Sequence, residues 1–285
     1  MKLNLLGRLR NTRLSHANAL LPLFEAVVNS IHAIAEAGRT EFGRIDVFIE
    51  RESSAQMEIS GTSPSKPVRS FTIADNGIGF TDANYDSFCT SDSQLKMAQG
   101  GKGVGRFLWL KAFDHAEVDS VFRGASGVCW RRKFELKQTE EGIHDGSIEE
   151  VTTADPKTKV RLVNFKSDYQ YWSPRSAETI AKRMVEHCLE HFVLGICPTI
   201  VLHDEPDATT YDLNDMYRSQ VRDRLDTSSF TARGKVFTLH HLKVDPDYQP
   251  QHRLYFCAHK RVVRHETPAR ESPKSNRGSS KRQQH

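Results

Sequence analysis

Glu25 and Asn29 form the pair in this sequence best suited to chemistry at a phosphate. They lie four positions apart in the stretch Leu-Phe-Glu-Ala-Val-Val-Asn-Ser, residues 23–30, so on a helix both side chains point the same way, one turn apart. The amide oxygen of Asn29 suits Mg²⁺, which prefers oxygen ligands. The carboxylate of Glu25 can orient a water molecule or accept its proton. Taken alone, such a pair is usually the polar stripe of an amphipathic helix.

A second group of candidate residues follows a hydrophobic strand. Asp75 ends that strand in the stretch Ile-Ala-Asp-Asn-Gly-Ile-Gly-Phe, residues 73–80, where a carboxylate is costly unless a group donates a hydrogen bond to it. Gly77 and Gly79 have no Cβ, so the backbone can turn sharply and pass close to a ligand. The alternative interpretation is an ordinary Asp-Asn-Gly turn between two elements.

A third group is a cluster of glycines directly before a predicted helix, residues 104–113. Free backbone N–H groups at a helix N-terminus bind phosphates, and a lysine in the cluster adds a point charge. The pattern is neither a P-loop nor a dinucleotide fingerprint, because glycine follows the lysine directly. A flexible linker is the alternative. The predicted phosphate contacts are Gly101, Lys102, Gly103, Val104 and Gly105.

In this order the three motifs resemble the Bergerat-type ATP pocket of the GHKL superfamily, which includes gyrase, the ninety-kilodalton heat-shock chaperone, histidine kinases and MutL. The resemblance spans residues 10–165. It implies that Asp75 accepts a hydrogen bond from the adenine amino group and that Asn29 binds Mg²⁺. It also implies that Glu25 is the catalytic residue of a hydrolase, since histidine kinases typically have Asn at that position.

Two further stretches match this family only in part. Thr158 opens a strand similar to the family's pocket-floor motif, but Lys157 stands where the family has glycine. The resemblance implies that Thr158 contacts Asp75 or a water beside adenine, and a plain strand residue is the alternative. Residues 254–263 resemble the strand that opens the companion transducer domain, with His-Lys-Arg in place of Asn-Gly-Arg. An ordinary strand with a basic turn is the alternative there.

Periodicity predicts the elements that must position these groups. Ser15 is the predicted N-cap of a long helix that runs to Ala37 and is closed by Gly38. Thr81 and Asp82 are predicted to cap a short helix, followed by a polar lid over residues 87–105. Further predicted elements are strands 44–51, 69–74, 116–122, 127–137, 147–153 and 158–165 and a helix over 176–192. This order of elements predicts an α+β fold, a two-layer sandwich of helices on a mixed β-sheet, and the resemblance implies that it is of the Bergerat type.

The chain divides into three predicted regions. Residues 1–195 form the ATP-binding domain, 196–265 a partial transducer-like α/β segment with strands 199–203, 235–243 and 252–258, and 266–285 a basic disordered tail. In the resembled hydrolases a lysine from a later transducer loop reaches the γ-phosphate. The chain leaves little room for that loop, and Lys274 is a poor substitute. We therefore expect hydrolysis to be weak or to depend on another subunit.

Composition excludes several classes of protein. With 285 residues, 38% of them hydrophobic, the chain can build a packed core. We expect neither a signal peptide nor a membrane segment, and the five scattered cysteines fit a reducing cytoplasm. The net charge of +4 gives little support for a nucleic-acid partner, because the last twenty residues supply three of those charges. His187 and His191 are four apart but lack further metal ligands.

The expected function is a Mg²⁺-dependent ATPase that uses ATP binding and slow hydrolysis as a conformational switch. The resemblance implies a nucleotide-dependent homodimer, with a role in DNA repair or phage defence among the options. The alternative is a nucleotide-binding subunit with little hydrolysis inside a larger complex. A histidine-kinase catalytic domain is disfavoured, since no helical phospho-acceptor segment precedes the pocket.

Overall fold

A single mixed sheet dominates the fold. The computed structural model describes residues 5–53, 65–90, 105–152, 155–205, 208–244, 252–258 and 261–267. Its strands are β1 (Arg44–Arg51), β2 (Val68–Asp75), β3 (Phe113–Arg123), β4 (Cys129–Lys137), β5 (Ile143–Val151), β6 (Lys157–Phe165), β7 (Thr199–Asp204), β8 (Thr209–Asp212), β9 (Val221–Ala232), β10 (Lys235–Val244), β11 (Leu254–Ala258) and β12 (Arg261–Glu266). The first eight form one sheet in the order β5-β4-β3-β6-β2-β1-β7-β8. Neighbours in it are antiparallel except β1 and β7, which are parallel.

The helices are α1 (Leu5–Asn11), α2 (Leu21–Glu36), α3 (Asp82–Cys89), α4 (Gly105–Ala112), α5 (Ser167–Gln170), α6 (Ala177–His187), α7 (Leu189–Val193) and α8 (Leu213–Gln220). Two 3-10 turns lie at His16–Asn18 and Thr40–Phe42. Helix α2 packs against β1, β2 and α4, and α6 packs against β7. The fold is thus α+β, with a helical layer on a mixed sheet.

The core lies between α2 and the centre of the sheet. Along α2, Leu23, Val27 and Val28 are fully buried, and Ile45 and Val47 of β1 are equally buried. Each such side chain contributes about 1.5–3 kcal/mol relative to an exposed position. The predicted apolar stripe of the long helix is therefore the stripe that meets the sheet.

The opposite face of the sheet is polar and paired by charge. Arg161 of β6 donates to Glu50 of β1 with 2.8 Å between Nη2 and Oε2. Arg131 of β4 donates to Asp119 of β3 with 2.6 Å between Nη2 and Oδ2. The Arg161 guanidinium holds the pKa of Glu50 below its usual value. Because these strands place charged residues at alternate positions, this face needs no second helical layer.

The long helix begins later than the sequence predicts. Ser15 makes no side-chain capping hydrogen bond and precedes the 3-10 turn, and α2 starts at Leu21 with Pro22 in its first turn. Proline is accommodated there because the first helical N–H groups have no intrahelical partner. The predicted end of the helix is confirmed, since Gly38 follows it with a left-handed φ of +66°.

The main sheet continues past the boundary predicted at residue 196. Strand β7 pairs in parallel with β1, with Ile45 opposite Ile200, and β8 extends the sheet by one more strand. This happens because β1 would otherwise leave its outer edge unpaired, with backbone groups exposed. The part that stands apart from this sheet begins at β9, where β9 with β10 and β11 with β12 form two separate hairpins.

Other elements differ from the prediction in detail. The helix predicted over 176–192 is interrupted at Cys188, which separates α6 from α7. Strand β9, which the sequence analysis did not predict, carries mostly polar residues in the stretch VRDRLDTSSFTA. Its described side chains are largely exposed, so the alternation that marks a half-buried strand is missing. Of the predicted tail at 266–285, all but the first two residues lie outside the described part of the chain.

One helical stretch, His16–Glu36, is long and apolar enough by length and composition to cross a membrane. More than half of its most apolar window, 56%, is buried inside the protein. That burial is what the core helix of an α+β domain requires, because its apolar stripe faces the sheet.

Candidate functional site

The structure brings the acid–amide pair of α2 to the first residue of α4. Glu25 is 9% exposed and Asn29 is exposed, one turn further along. A Cβ atom added to Gly105 would lie 3.4 Å from Oε2 of Glu25 and 3.9 Å from Nδ2 of Asn29. Three of the predicted site residues therefore meet at one point, where the free N–H groups of a helix N-terminus create a partial positive charge.

Asp75 occupies the helix-facing side of the sheet, at the end of β2. Its Oδ2 accepts a 2.7 Å hydrogen bond from Oγ of Ser30, and its Oδ1 accepts a 2.9 Å bond from the backbone N–H of Gly77. The carboxylate is 7% exposed and Ser30 is 4% exposed. The buried carboxylate thus receives the hydrogen bonds that offset the cost of removing it from water.

Ser30 is a site residue that the sequence analysis did not assign. It lies directly after Asn29, so its side chain is turned about 100° from the amide and faces the sheet rather than solvent. A serine in the middle of an apolar helical stripe is the signal that could have identified it, because a buried hydroxyl needs a partner. Asp75 is that partner.

A row of polar side chains continues from Asp75 across the sheet. Thr158 of β6 lies opposite Asp75, and Ser120 of β3 lies opposite Thr158. The hydroxyl oxygens of Ser120 and Thr158 are 3.0 Å apart, and Ser120 Oγ accepts a 2.9 Å bond from the N–H of Phe80. The Thr158 side chain is thus hydrogen-bonded to Ser120. Ser120 is a second site residue that the sequence analysis did not assign.

The two glycines after Asp75 are required by close packing within the protein. A Cβ at Gly77 would come within 2.7 Å of Ala33 on α2, and one at Gly79 would come within 2.3 Å of the carbonyl oxygen of Val121. Gly79 also has a left-handed φ of +83°. The turn is therefore clamped between α2 and β3, which fixes the position of Asp75.

Asn76 secures the same turn from the other side. Its Oδ1 accepts a 2.8 Å hydrogen bond from the N–H of Arg44, and its Nδ2 donates a 2.9 Å bond to the carbonyl of Phe42. These bonds join the turn to the start of β1. Asn76 thus has a structural role within the motif, since both ends of its amide are engaged by the backbone.

Two buried arginines fix the elements around α3. Arg132 of β4 donates to the carbonyls of Phe80, at 2.7 Å, and Thr81, at 3.1 Å. Arg106 of α4 is 8% exposed and donates to the carbonyls of Phe88 and Thr90 at the end of α3. Arg106 therefore ties the start of α4 to the end of α3, because those last helical carbonyls have no intrahelical partner.

Four of the predicted phosphate contacts, Gly101, Lys102, Gly103 and Val104, lie outside the described residues, as does most of the predicted lid. The predicted helix behind them is confirmed as α4, and the predicted cap of α3 is confirmed by a 3.2 Å bond from the N–H of Asn84 to Oγ1 of Thr81. The described residues contain no group of three or more His, Cys, Asp or Glu side chains that could hold a metal. An Mg²⁺ ion held by Asn29 and phosphate oxygens would need no such group.

No protein-family model matches this sequence, and no curated protein matches it either. The interpretation of the site therefore depends on its own residues and their arrangement.

Proposed function

We propose that this chain binds ATP with Mg²⁺ and hydrolyses it slowly, as a GHKL-type ATPase with a Bergerat pocket. The observation that carries the proposal is the meeting of Glu25 and Asn29 with Gly105 at the N-terminus of α4. The order of the motifs along the chain already indicated this function. Their convergence on one side of the sheet adds a geometric argument that spacing alone does not provide.

Asp75 is suited to the adenine end of the pocket. A carboxylate has about four lone-pair positions, and its bonds from Ser30 and Gly77 use one on each oxygen. Because a carboxylate oxygen accepts more than one hydrogen bond, Asp75 can also accept one from the exocyclic amino group of adenine. Because Ser30 and the clamped turn hold it in one orientation, little entropy is lost when that bond forms.

The phosphate end of the proposed pocket lies between α2 and the N-terminus of α4. The N-terminus of α4 attracts negative charge through its free N–H groups. Mg²⁺, when bound, neutralises charge that develops on the phosphate oxygens. Asn29, an exposed residue, offers its amide oxygen to the ion, and Gly105 leaves open the space that a Cβ would fill. Glu25, beside that space, orients the attacking water and accepts its proton.

A purely structural account of the same residues makes different predictions. Glu25 beside the start of α4 would stabilise the helix dipole, typically by 0.3–1 kcal/mol or about 2 kcal/mol when partly buried. On that account Glu25→Gln lowers stability and leaves no nucleotide effect to measure. On the proposed account it keeps ATP binding and loses turnover.

The experiment compares ATP binding and hydrolysis, with Mg²⁺, in the intact chain and in Glu25→Gln and Asn29→Ala. Lys235→Ala, a change on the exposed hairpin β9–β10, is the control. We expect Glu25→Gln to lower turnover at least 100-fold with little change in Kd, and Asn29→Ala to abolish the effect of Mg²⁺ on binding. Failure of the unmodified chain to bind ATP would refute the proposal.

Binding without turnover in the unmodified chain would favour the second candidate, a nucleotide-binding subunit of a larger complex. The burial of Glu25, at 9% exposed, favours it, because a carboxylate held among neighbours has little freedom to reach a water.

The remaining parts of the proposal concern partners and location. ATP-dependent dimerisation in the cytoplasm, as a conformational switch, follows from the resemblance. Basic residues near the C-terminal end give weak support for nucleic acid or an acidic protein as a further partner. Molecular mass by light scattering, with and without a non-hydrolysable ATP analogue, tests the dimer. A mass unchanged by the analogue would remove the dimer from the proposal.

A further inference from the structure

A cavity lies at the other end of α4, away from Gly105. Its volume is about 530 Å³, within the roughly 300–1,000 Å³ typical of small-molecule sites. Helix α1, the last turn of α4 and the start of α5 line it, and it is open to solvent on one side. Lys111 lies six positions after Gly105, so the cavity is roughly 9 Å along the helix axis from the proposed phosphate position.

The walls of this cavity combine apolar surface with positive charge. Leu9 and Leu110 are buried beneath it, at 3% and 0% exposed. Three cationic side chains also line it, against one carboxylate. The charged lining residues are Arg10, Lys111, Lys166 and Asp168.

Two of the three cations have no partner in the described part of the chain. The side chains of Arg10 and Lys111 make no hydrogen bond or ion pair with another described residue. Both lie in the last turn of a helix, α1 and α4 respectively, where the dipole favours a cation. The helix dipole explains why a cation is favourable at each of these positions. It does not explain why both side chains line the same apolar cavity.

The cavity wall is an unfavourable environment for the positive charge of Lys166. Its Nζ donates a 2.6 Å bond to the carbonyl of Leu110 and a 3.5 Å bond to Gln138. Burial lowers the pKa of Lys166, Asp114 opposes that change and Lys111 adds to it. The two lysines thus repel each other beside the cavity, and an anion bound at Lys111 would offset that repulsion.

We infer that this cavity binds a small amphipathic anion, with a carboxylate or phosphate head on an apolar body. The head contacts Arg10 and Lys111, whose donors are available, and the body lies against Leu9 and Leu110. Asp168, at the exposed rim, disfavours a multiply charged ligand. The inference is independent of the nucleotide site, since it uses other residues.

The test measures binding to the intact chain by calorimetry. The probes are octanoate, octyl phosphate, octanol and inorganic phosphate, so that head and body are varied separately. We expect octanoate or octyl phosphate to bind at least tenfold more tightly than octanol and than inorganic phosphate. Equal binding of octanol, or of inorganic phosphate, would overturn the inference, as would no binding of either amphipathic probe.

Matched variants locate the site. Arg10→Glu and Lys111→Glu should each weaken binding of the amphipathic anion at least tenfold, because a repulsive charge replaces an attractive one. Lys235→Glu, the same charge change on the exposed hairpin, should leave binding unchanged. Thermal unfolding shows whether each variant is folded, and Arg10→Ala with Lys111→Ala replaces any that is not. Unaltered affinity in the cavity variants, or an equal loss in Lys235→Glu, would overturn the inference.

Discussion

Asp75→Asn tests two roles of this carboxylate, its hydrogen bond with Ser30 and its proposed hydrogen bond with adenine. In the protein its Oδ2 accepts a 2.7 Å bond from Ser30, and both side chains are buried. An amide in the same orientation would place an NH₂ group toward the serine hydroxyl, so a charge-assisted bond is lost. Such bonds contribute about 1.5–3 kcal/mol, so we expect the free energy of unfolding to fall by about 2 kcal/mol. For a chain of this size that lowers Tm by roughly 4–8 °C.

Ser30→Ala is the matched variant. It removes the other partner of the same hydrogen bond and leaves the carboxylate in place, so its loss of stability should be similar, about 1–3 kcal/mol. The nucleotide readout should differ between the two. Asp75→Asn should weaken ATP binding at least 30-fold, about 2 kcal/mol, because an NH₂ group then faces the adenine amino group. Ser30→Ala should change it only a few-fold.

The assay is calorimetric titration with ATP and with GTP, together with thermal unfolding followed by circular dichroism. Guanine carries an acceptor where adenine carries its amino group, so Asp75→Asn should also narrow the preference for ATP over GTP. A mere loss of folding would weaken both nucleotides equally. The reasoning is refuted if Asp75→Asn and Ser30→Ala weaken ATP binding by the same factor, or if the ratio of ATP to GTP affinity does not move.

Three further predictions test other parts of the structure. Gly105→Ala should raise the free energy of unfolding by up to about 1 kcal/mol through helix propensity, yet weaken ATP binding, since the added Cβ lies 3.4 Å from Glu25 Oε2; unchanged affinity in titration would count against the phosphate position. Arg132→Met should cost about 2 kcal/mol in urea unfolding, because the carbonyls of Phe80 and Thr81 lose their donor; a loss below 0.5 kcal/mol would contradict this. The hydrogen bond from Arg161 lowers the folded-state pKa of Glu50 below 4.5, so its stabilising contribution is present above that pH and is lost as the pH falls through the folded pKa. Glu50→Gln should therefore flatten the acid side of the stability curve, and an identical curve for both proteins would refute the assignment.

Local sequence patterns placed several of the site residues on the elements that carry them. The spacing of Glu25 and Asn29 predicted that both lie on one side of a helix, and they do. The strand ending at Asp75 and the helix starting near the glycine cluster were also predicted, and both are confirmed. Local sequence was sufficient to predict these elements, because helices, strands and turns depend mainly on residues that are close together in the chain.

The partners of these residues could not be predicted in the same way. Ser30 and Asp75 are 45 positions apart in the chain, and nothing in either local pattern names the other. Arg106 likewise contacts carbonyls at the end of α3, where any residue type presents the same acceptor. Every residue has a backbone carbonyl, so the sequence cannot indicate which carbonyl a side chain will contact. That is decided when the elements pack together.

By itself, then, the sequence determined the long apolar helix, the strands of the main sheet up to β6, and the three motifs in their order. Tertiary structure alone decided that β7 joins the sheet in parallel with β1, that Gly77 and Gly79 are clamped between α2 and β3, and that Gly105 meets Glu25. The physical reason is range. Helix and strand preferences arise from neighbours in the chain, whereas sheet order and close backbone approach depend on which surfaces are buried together in the folded protein.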